Sequence, residues 1–129
     1  MFLLLRSYLG RKTMSRVLVC GGKDFNDYDL LKSCLGRHEI STIIHGNARG
    51  ADSLADRYAR EKGIDRIVYP ANWEGHGKLA GFIRNSMMLN HGKPDKVIAF
   101  PGGVGTEMMI DIAKKAGVEV CVYEDIYGE

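Results

Sequence analysis

The sequence predicts an α/β fold in three layers, with helices on both faces of a parallel, five-stranded sheet. Three observations predict it. Five short, β-branched runs recur along the chain, at 16–20, 41–45, 65–69, 95–100 and 118–123. Segments with helical spacing separate them. Glycine clusters follow the first and fourth runs. Strands that alternate with helices form parallel sheets through crossovers, and right-handed crossovers leave few topologies. The strand order expected is 3-2-1-4-5.

Each element has its own pattern. "RVLVC" (16–20) is almost wholly apolar, as expected of a strand covered on both faces, and the other four runs resemble it. In 26–38, Tyr28, Leu31, Cys34 and Leu35 share one helical stripe, with Asn26 as the expected cap. After "STIIH" (41–45), the segment 49–63 sets Ala51, Leu54, Ala55, Tyr58 and Ala59 opposite Asp52, Asp56, Arg60 and Glu61. "DRIVY" (65–69) precedes a more polar helical stretch, 77–91. Gly81 inside it costs about 1 kcal/mol relative to Ala, which suggests a close approach there. After "DKVIAF" (95–100), the segment 104–117 aligns Val104, Met108, Ile112, Ala113 and Ala116, with Gly117 closing the helix. "VEVCVY" (118–123) is the fifth strand. Met87, Met88, Met108 and Met109 are expected as core filling.

The chain of 129 residues suits one domain, placed at 14–129, with 1–13 as an N-terminal extension. That extension holds Arg6, Arg11, Lys12 and no acid; its run of five consecutive apolar residues (1–5) is too short for a signal peptide or a membrane span. Removing its three basic residues from the 18 leaves 15 against 16 acidic ones, a net −1. Such a domain offers no large basic footprint, so nucleic acid is not an expected partner. Three cysteines (Cys20, Cys34, Cys121) read as reduced thiols of a cytoplasmic protein. His45, His76 and His91 lack the spacing of a metal set, and no metal is expected.

In an open parallel sheet, ligands bind beyond the carboxyl ends of the strands, where the winding reverses. For order 3-2-1-4-5 that point lies between the first and fourth strands. "GGKDF" (21–25) and "PGGVGT" (101–106) would meet there, beside "HGNARGAD" (45–52). A strand, bare glycine backbone and a helix start make an anion site, most often for phosphate. Gly102, Gly103 and Gly105 are expected to take positive φ and admit a ligand closely; Thr106 would cap the helix, bind an oxygen, or both. The candidate ligand residues are Gly21, Gly22, Lys23, Asp24, Phe25, His45, Gly46, Arg49, Gly50, Pro101, Gly102, Gly103, Gly105, Thr106 and Glu107. "YPANWEGHGKLAGFIRNSMM" (69–88) adds Trp73, His76, Arg84 and Asn85; an Arg here suits a phosphate or carboxylate. Neither a Walker A loop nor G-x-G-x-x-G is present, so an ordinary dinucleotide cofactor is not indicated.

"VCGGKDFND", "IIHGNARGADSLA", "YPANWEGHGKLAGFIRNSMM" and "VIAFPGGVGTEMM" resemble, in order, the motif blocks of the YspA-like branch of the SLOG superfamily, over roughly residues 16–123. The superfamily also holds the LOG-type phosphoribohydrolases and the DNA-processing protein DprA. The resemblance implies a Rossmann-like domain that binds a nucleotide or nucleotide-derived ligand, often as a homodimer. LOG-type relatives cleave the N-glycosidic bond of a nucleoside monophosphate with an Arg and a Glu. Arg84 matches that Arg, with Met88 four residues on; Met109 stands where the Glu is expected.

Three functions follow as expectations: nucleotide-ligand binding, nucleotide N-glycosidic hydrolysis, and DprA-like binding of single-stranded DNA. Hydrolysis needs a carboxylate to stabilise an oxocarbenium-like sugar and hold water. Glu107, Asp24 and Asp52 are the candidates, and Arg84, Glu107 and Asp24 form the expected catalytic set. Trp73 or Phe25 would supply base stacking.

Overall fold

A computed structural model describes residues 15–124. The extension at 1–13 lies outside the described residues. The elements run β1 (Arg16–Cys20), α1 (Tyr28–Leu35), β2 (Thr42–His45), α2 (Ala51–Lys62), β3 (Asp65–Val68), α3 (Trp73–His76), a 3-10 turn (Gly77–Leu79), α4 (Ala80–Asn90), β4 (Lys96–Ala99), α5 (Val104–Lys115) and β5 (Glu119–Val122). All strand pairs are parallel, and the order is β3-β2-β1-β4-β5. This is the expected Rossmann-like architecture.

Strand alternation splits the core in two. Val17, Val19, Ile43, Ile98 and Phe100 pack under Leu31, Cys34 and Leu35 of α1 and Ala51, Ala55, Tyr58 and Ala59 of α2. Leu18, Cys20, Ile44, Val97 and Ala99 pack under Met88 of α4 and Met109 and Ala113 of α5. Register follows, with Leu18 beside Ile44 and Val97. Both stripes read for α1 and α2 therefore face the core.

Several expectations are corrected. Only β1, β2 and β4 are covered on both faces; three of four residues in β3, and both ends of β5, are exposed, since these strands form the sheet edges. Asp27, not Asn26, caps α1, accepting from Leu30 N at 3.0 Å. On α5 the buried stripe is Thr106, Met109 and Ala113, whereas Val104 is 70% exposed and Ala116 is exposed. Met88 and Met109 do fill the core, but Met87 is exposed. A Cβ built on Gly81 would sit 3.6 Å from Arg84 Nη2 and 3.7 Å from Trp73 Cη2, ordinary contact distances, so no close approach demands a glycine. Gly117 does close α5 with φ +79.

Candidate functional site

Three loops converge beyond the carboxyl ends of β1, β2 and β4, and Gly22 joins them. Its N–H donates to Pro101 O at 2.8 Å, and its carbonyl accepts from Ala51 N at 3.1 Å and Phe25 N at 3.2 Å. The junction leaves no room for side chains. A Cβ on Gly22 would lie 2.9 Å from Pro101 O; one on Gly50, whose φ is +82, would lie 2.2 Å from Gly22 O. Positive φ thus falls on Gly50, not on Gly102, Gly103 or Gly105.

A cavity of about 330 Å³ opens at this junction. Nine of the sequence candidates line it: Gly21, Gly22, Lys23, Trp73, Arg84, Asn85, Gly103, Gly105 and Thr106. Asp52, read from sequence as a candidate catalytic carboxylate, lines it as well, together with Cys20, Ala48, Met88 and Val104, which the sequence had not singled out for the site. Val104 did carry a signal, an apolar residue between two glycines at a helix start.

The two helix N-termini here differ. At α2, Ala51 N is taken up by Gly22 O, so that end is closed by the chain itself. At α5, Gly103 occupies the cap position and no side chain caps the helix. The first intrahelical bond is Glu107 N to Gly103 O at 3.0 Å, which leaves the amides of Val104, Gly105 and Thr106 without intrahelical acceptors. Thr106 therefore does not cap; it sits inside the first turn, 8% exposed, with its hydroxyl over Gly102. A Cβ on Gly102 would lie 2.2 Å from Thr106 Oγ1, whereas one on Gly103 or Gly105 would meet nothing within 4 Å. Gly102 is required by the chain's own packing; Gly103 and Gly105 face open space.

Polar side chains clamp the surrounding loops. Arg84, half-buried on α4, donates from Nη1 to Gly46 O and from Nε to Asn85 Oδ1 at 3.0 Å. Burial pulls its pKa down, and the charge of Asp52 opposes that shift. Asn85, 6% exposed, donates from Nδ2 to Gly105 O at 3.1 Å and so fixes the start of α5. Asp52 is 7% exposed, not on a solvent face as its helical position suggested. Its Oδ2 accepts from Gly46 N at 3.1 Å and Ala48 N at 3.2 Å. Burial raises its pKa, against the lowering effect of the bond from Ala48, the nearby His45 and Arg84, and the bond from Gly46. Such a carboxyl can hold or release a proton inside the cavity. The Cys20 thiol is pushed up to about 12, by burial and then by Asp52, so it remains a thiol at neutral pH.

Other candidates stand outside the lining. His45, 2% exposed, accepts from Asn47 N at Nδ1 (3.0 Å), which leaves Nε2 to donate to Asp56 Oδ1 at 2.8 Å. It shapes the loop from below. Phe25 packs on Phe100, ring centres 5.2 Å apart. Asp24 pairs with Arg49 at 3.3 Å, both largely exposed. Glu107 and His76 are exposed, and neither lines the cavity, nor do Gly46, Gly50, Pro101 or Gly102. Met109, at the position of the LOG-type Glu, is fully buried in the core under α5.

The fold and the site at its winding reversal define a Rossmann-like domain with an open helix N-terminus at the crevice. A model of the YspA, cpYpsA-related SLOG family matches residues 15–76, which run from β1 through α3. The chain is also 40% identical over 124 residues to the Gene 61 protein of Mycobacterium phage D29, covering 87% of this chain and 98% of that protein. The chain belongs to the YspA, cpYpsA-related SLOG family.

Proposed function

We propose that this protein binds a nucleotide or nucleotide-derived ligand with its phosphate at the N-terminus of α5. The observation that carries the reading is the uncapped helix end at the cavity, whose flanking Gly103 and Gly105 have no packing reason to lack a side chain. Lys23 and Arg84, both in the lining, add positive charge. The β1 loop contributes shape more than donors, since Gly22 N is already bonded to Pro101 O.

Native mass spectrometry of the protein with nucleoside monophosphates, NAD and ADP-ribose tests this, with product analysis of the same mixtures. A bound nucleotide is expected for the wild type and its loss for Gly103→Val, a change that meets open space and places a side chain at the helix end. If no nucleotide is retained, or if Gly103→Val retains it as well as the wild type does, the reading is wrong.

A second reading, N-glycosidic hydrolysis of a nucleotide, is favoured by one observation. Asp52 is a cavity-lining, buried carboxyl with a raised pKa, close enough to Arg84 to feel its charge. It would steady positive charge on the sugar or orient water. Release of a free base, abolished in Asp52→Asn, is the expected result; intact nucleotide after prolonged incubation removes this reading.

A further inference from the structure

Among the described residues, the two most exposed large apolar side chains are Val104 (70%) and Trp73 (61%), and both line the cavity. They come from different elements, Trp73 opening α3 and Val104 opening α5. A surface apolar residue standing alone needs no explanation, but the two largest exposures converging on one cavity do.

The backbone that carries Trp73 is anchored. Asn72 Oδ1 caps α3 through Gly75 N at 2.9 Å, and Gly77 N closes it on Trp73 O. The indole itself is not buried. Its Cη2 and Arg84 Nη2 converge over Gly81, at 3.7 and 3.6 Å from where a Cβ there would sit. A largely exposed indole thus lines the same cavity as Arg84 and the open end of α5. Phe25, the other aromatic expected to stack, is committed to Phe100.

We infer that a planar heterocyclic base seats on Trp73 and Val104, so that the site selects nucleoside monophosphates over sugar phosphates and inorganic phosphate. This rests on the phosphate placement proposed above. About 330 Å³ lies at the lower end of the roughly 300–1,000 Å³ typical of small-molecule sites, which favours one nucleoside unit over two. The division of labour is physical: the anion is held by amides and cations at the α5 end, and the base covers apolar surface that water otherwise contacts.

Isothermal titration with AMP, ribose 5-phosphate and inorganic phosphate tests the inference, with the fluorescence of the single tryptophan as a second readout. In the wild type, AMP is expected to bind roughly 5- to 150-fold more tightly than ribose 5-phosphate, the range that one base–aromatic stack supplies, and to quench Trp73. Trp73→Ala should bring AMP down to the affinity of ribose 5-phosphate while leaving the latter unchanged; Trp73→Phe should keep most of the preference. Since Trp73 is 61% exposed, Trp73→Ala is expected to fold. Equal wild-type affinities for AMP and ribose 5-phosphate would overturn the base seat and leave the phosphate reading standing. A wild-type preference that survives Trp73→Ala would overturn it too. Binding of none of the three probes would remove both readings together.

Discussion

Asp52 offers the sharpest test of how the cavity is built. Its Oδ2 accepts from Gly46 N and Ala48 N, and its carboxyl is 7% exposed. In Asp52→Ala both donors lose their acceptor. A buried donor left unpaired costs about 1–3 kcal/mol, so the pair should cost about 3 kcal/mol, with the more exposed Ala48 amide partly recovered by water. For a domain of this size that is a fall in Tm of roughly 10 °C. Asp52→Asn keeps an oxygen acceptor and removes the buried charge, so near neutral pH it should stay within about 1 kcal/mol of the wild type or exceed it.

The pH dependence has a definite sign. The folded-state pKa is raised, so the folded protein holds the Asp52 proton more tightly than the unfolded chain does. That contribution to stability is fully present below the unfolded value of about 3.9 and is lost as pH rises through the raised folded value. The wild type should therefore lose stability relative to Asp52→Asn across that window. Thermal unfolding by circular dichroism, from pH 3.5 to 8, measures both effects. If Asp52→Ala unfolds within about 1 kcal/mol of the wild type, or if Asn harms the protein as much as Ala, the loop is not held in the way described.

Three further outcomes follow from particular contacts. Gly81→Ala should raise stability by about 1 kcal/mol in chemical denaturation, since its Cβ finds only ordinary contacts at 3.6 and 3.7 Å; a loss would mean that α4 needs the glycine. Met109→Glu should lower stability by about 3 kcal/mol or more and create no hydrolase, because the side chain is buried in the core with no charged partner; a stable variant that releases free base from AMP would contradict this. For Asp56, burial raises the pKa, but bonds from His45, Arg60 and Arg66 outweigh it and hold the value at about 2. Its stabilisation is present above about 3.9 and is lost as pH falls towards 2, so Asp56→Asn should flatten that part of the acid unfolding curve.

Much of this was legible in the residues alone. The five strands, the order 3-2-1-4-5 and the convergence of the loops after β1, β2 and β4 follow from local apolar period plus the handedness of crossovers. The motif blocks identified the family for the same reason: glycines in these loops are set by backbone contacts such as that of Gly50 with Gly22 O, which tolerate no Cβ. The tertiary structure alone decided what each side chain does. Helical spacing placed Asp52 on the polar side of α2 and Val104 on the buried side of α5, and both reverse at the first turn. First-turn residues face the loops of other strands, and the direction of those loops is set by bonds between distant residues, such as Gly22 N to Pro101 O. Phe25 is drawn to Phe100, a partner far along the chain, while Thr106 turns inward over Gly102 and His45 bonds Asp56 within their own neighbourhoods. A local period reports which face is apolar; only long-range packing determines which groups reach the cavity, and here they include the open end of α5, Asp52 and Trp73.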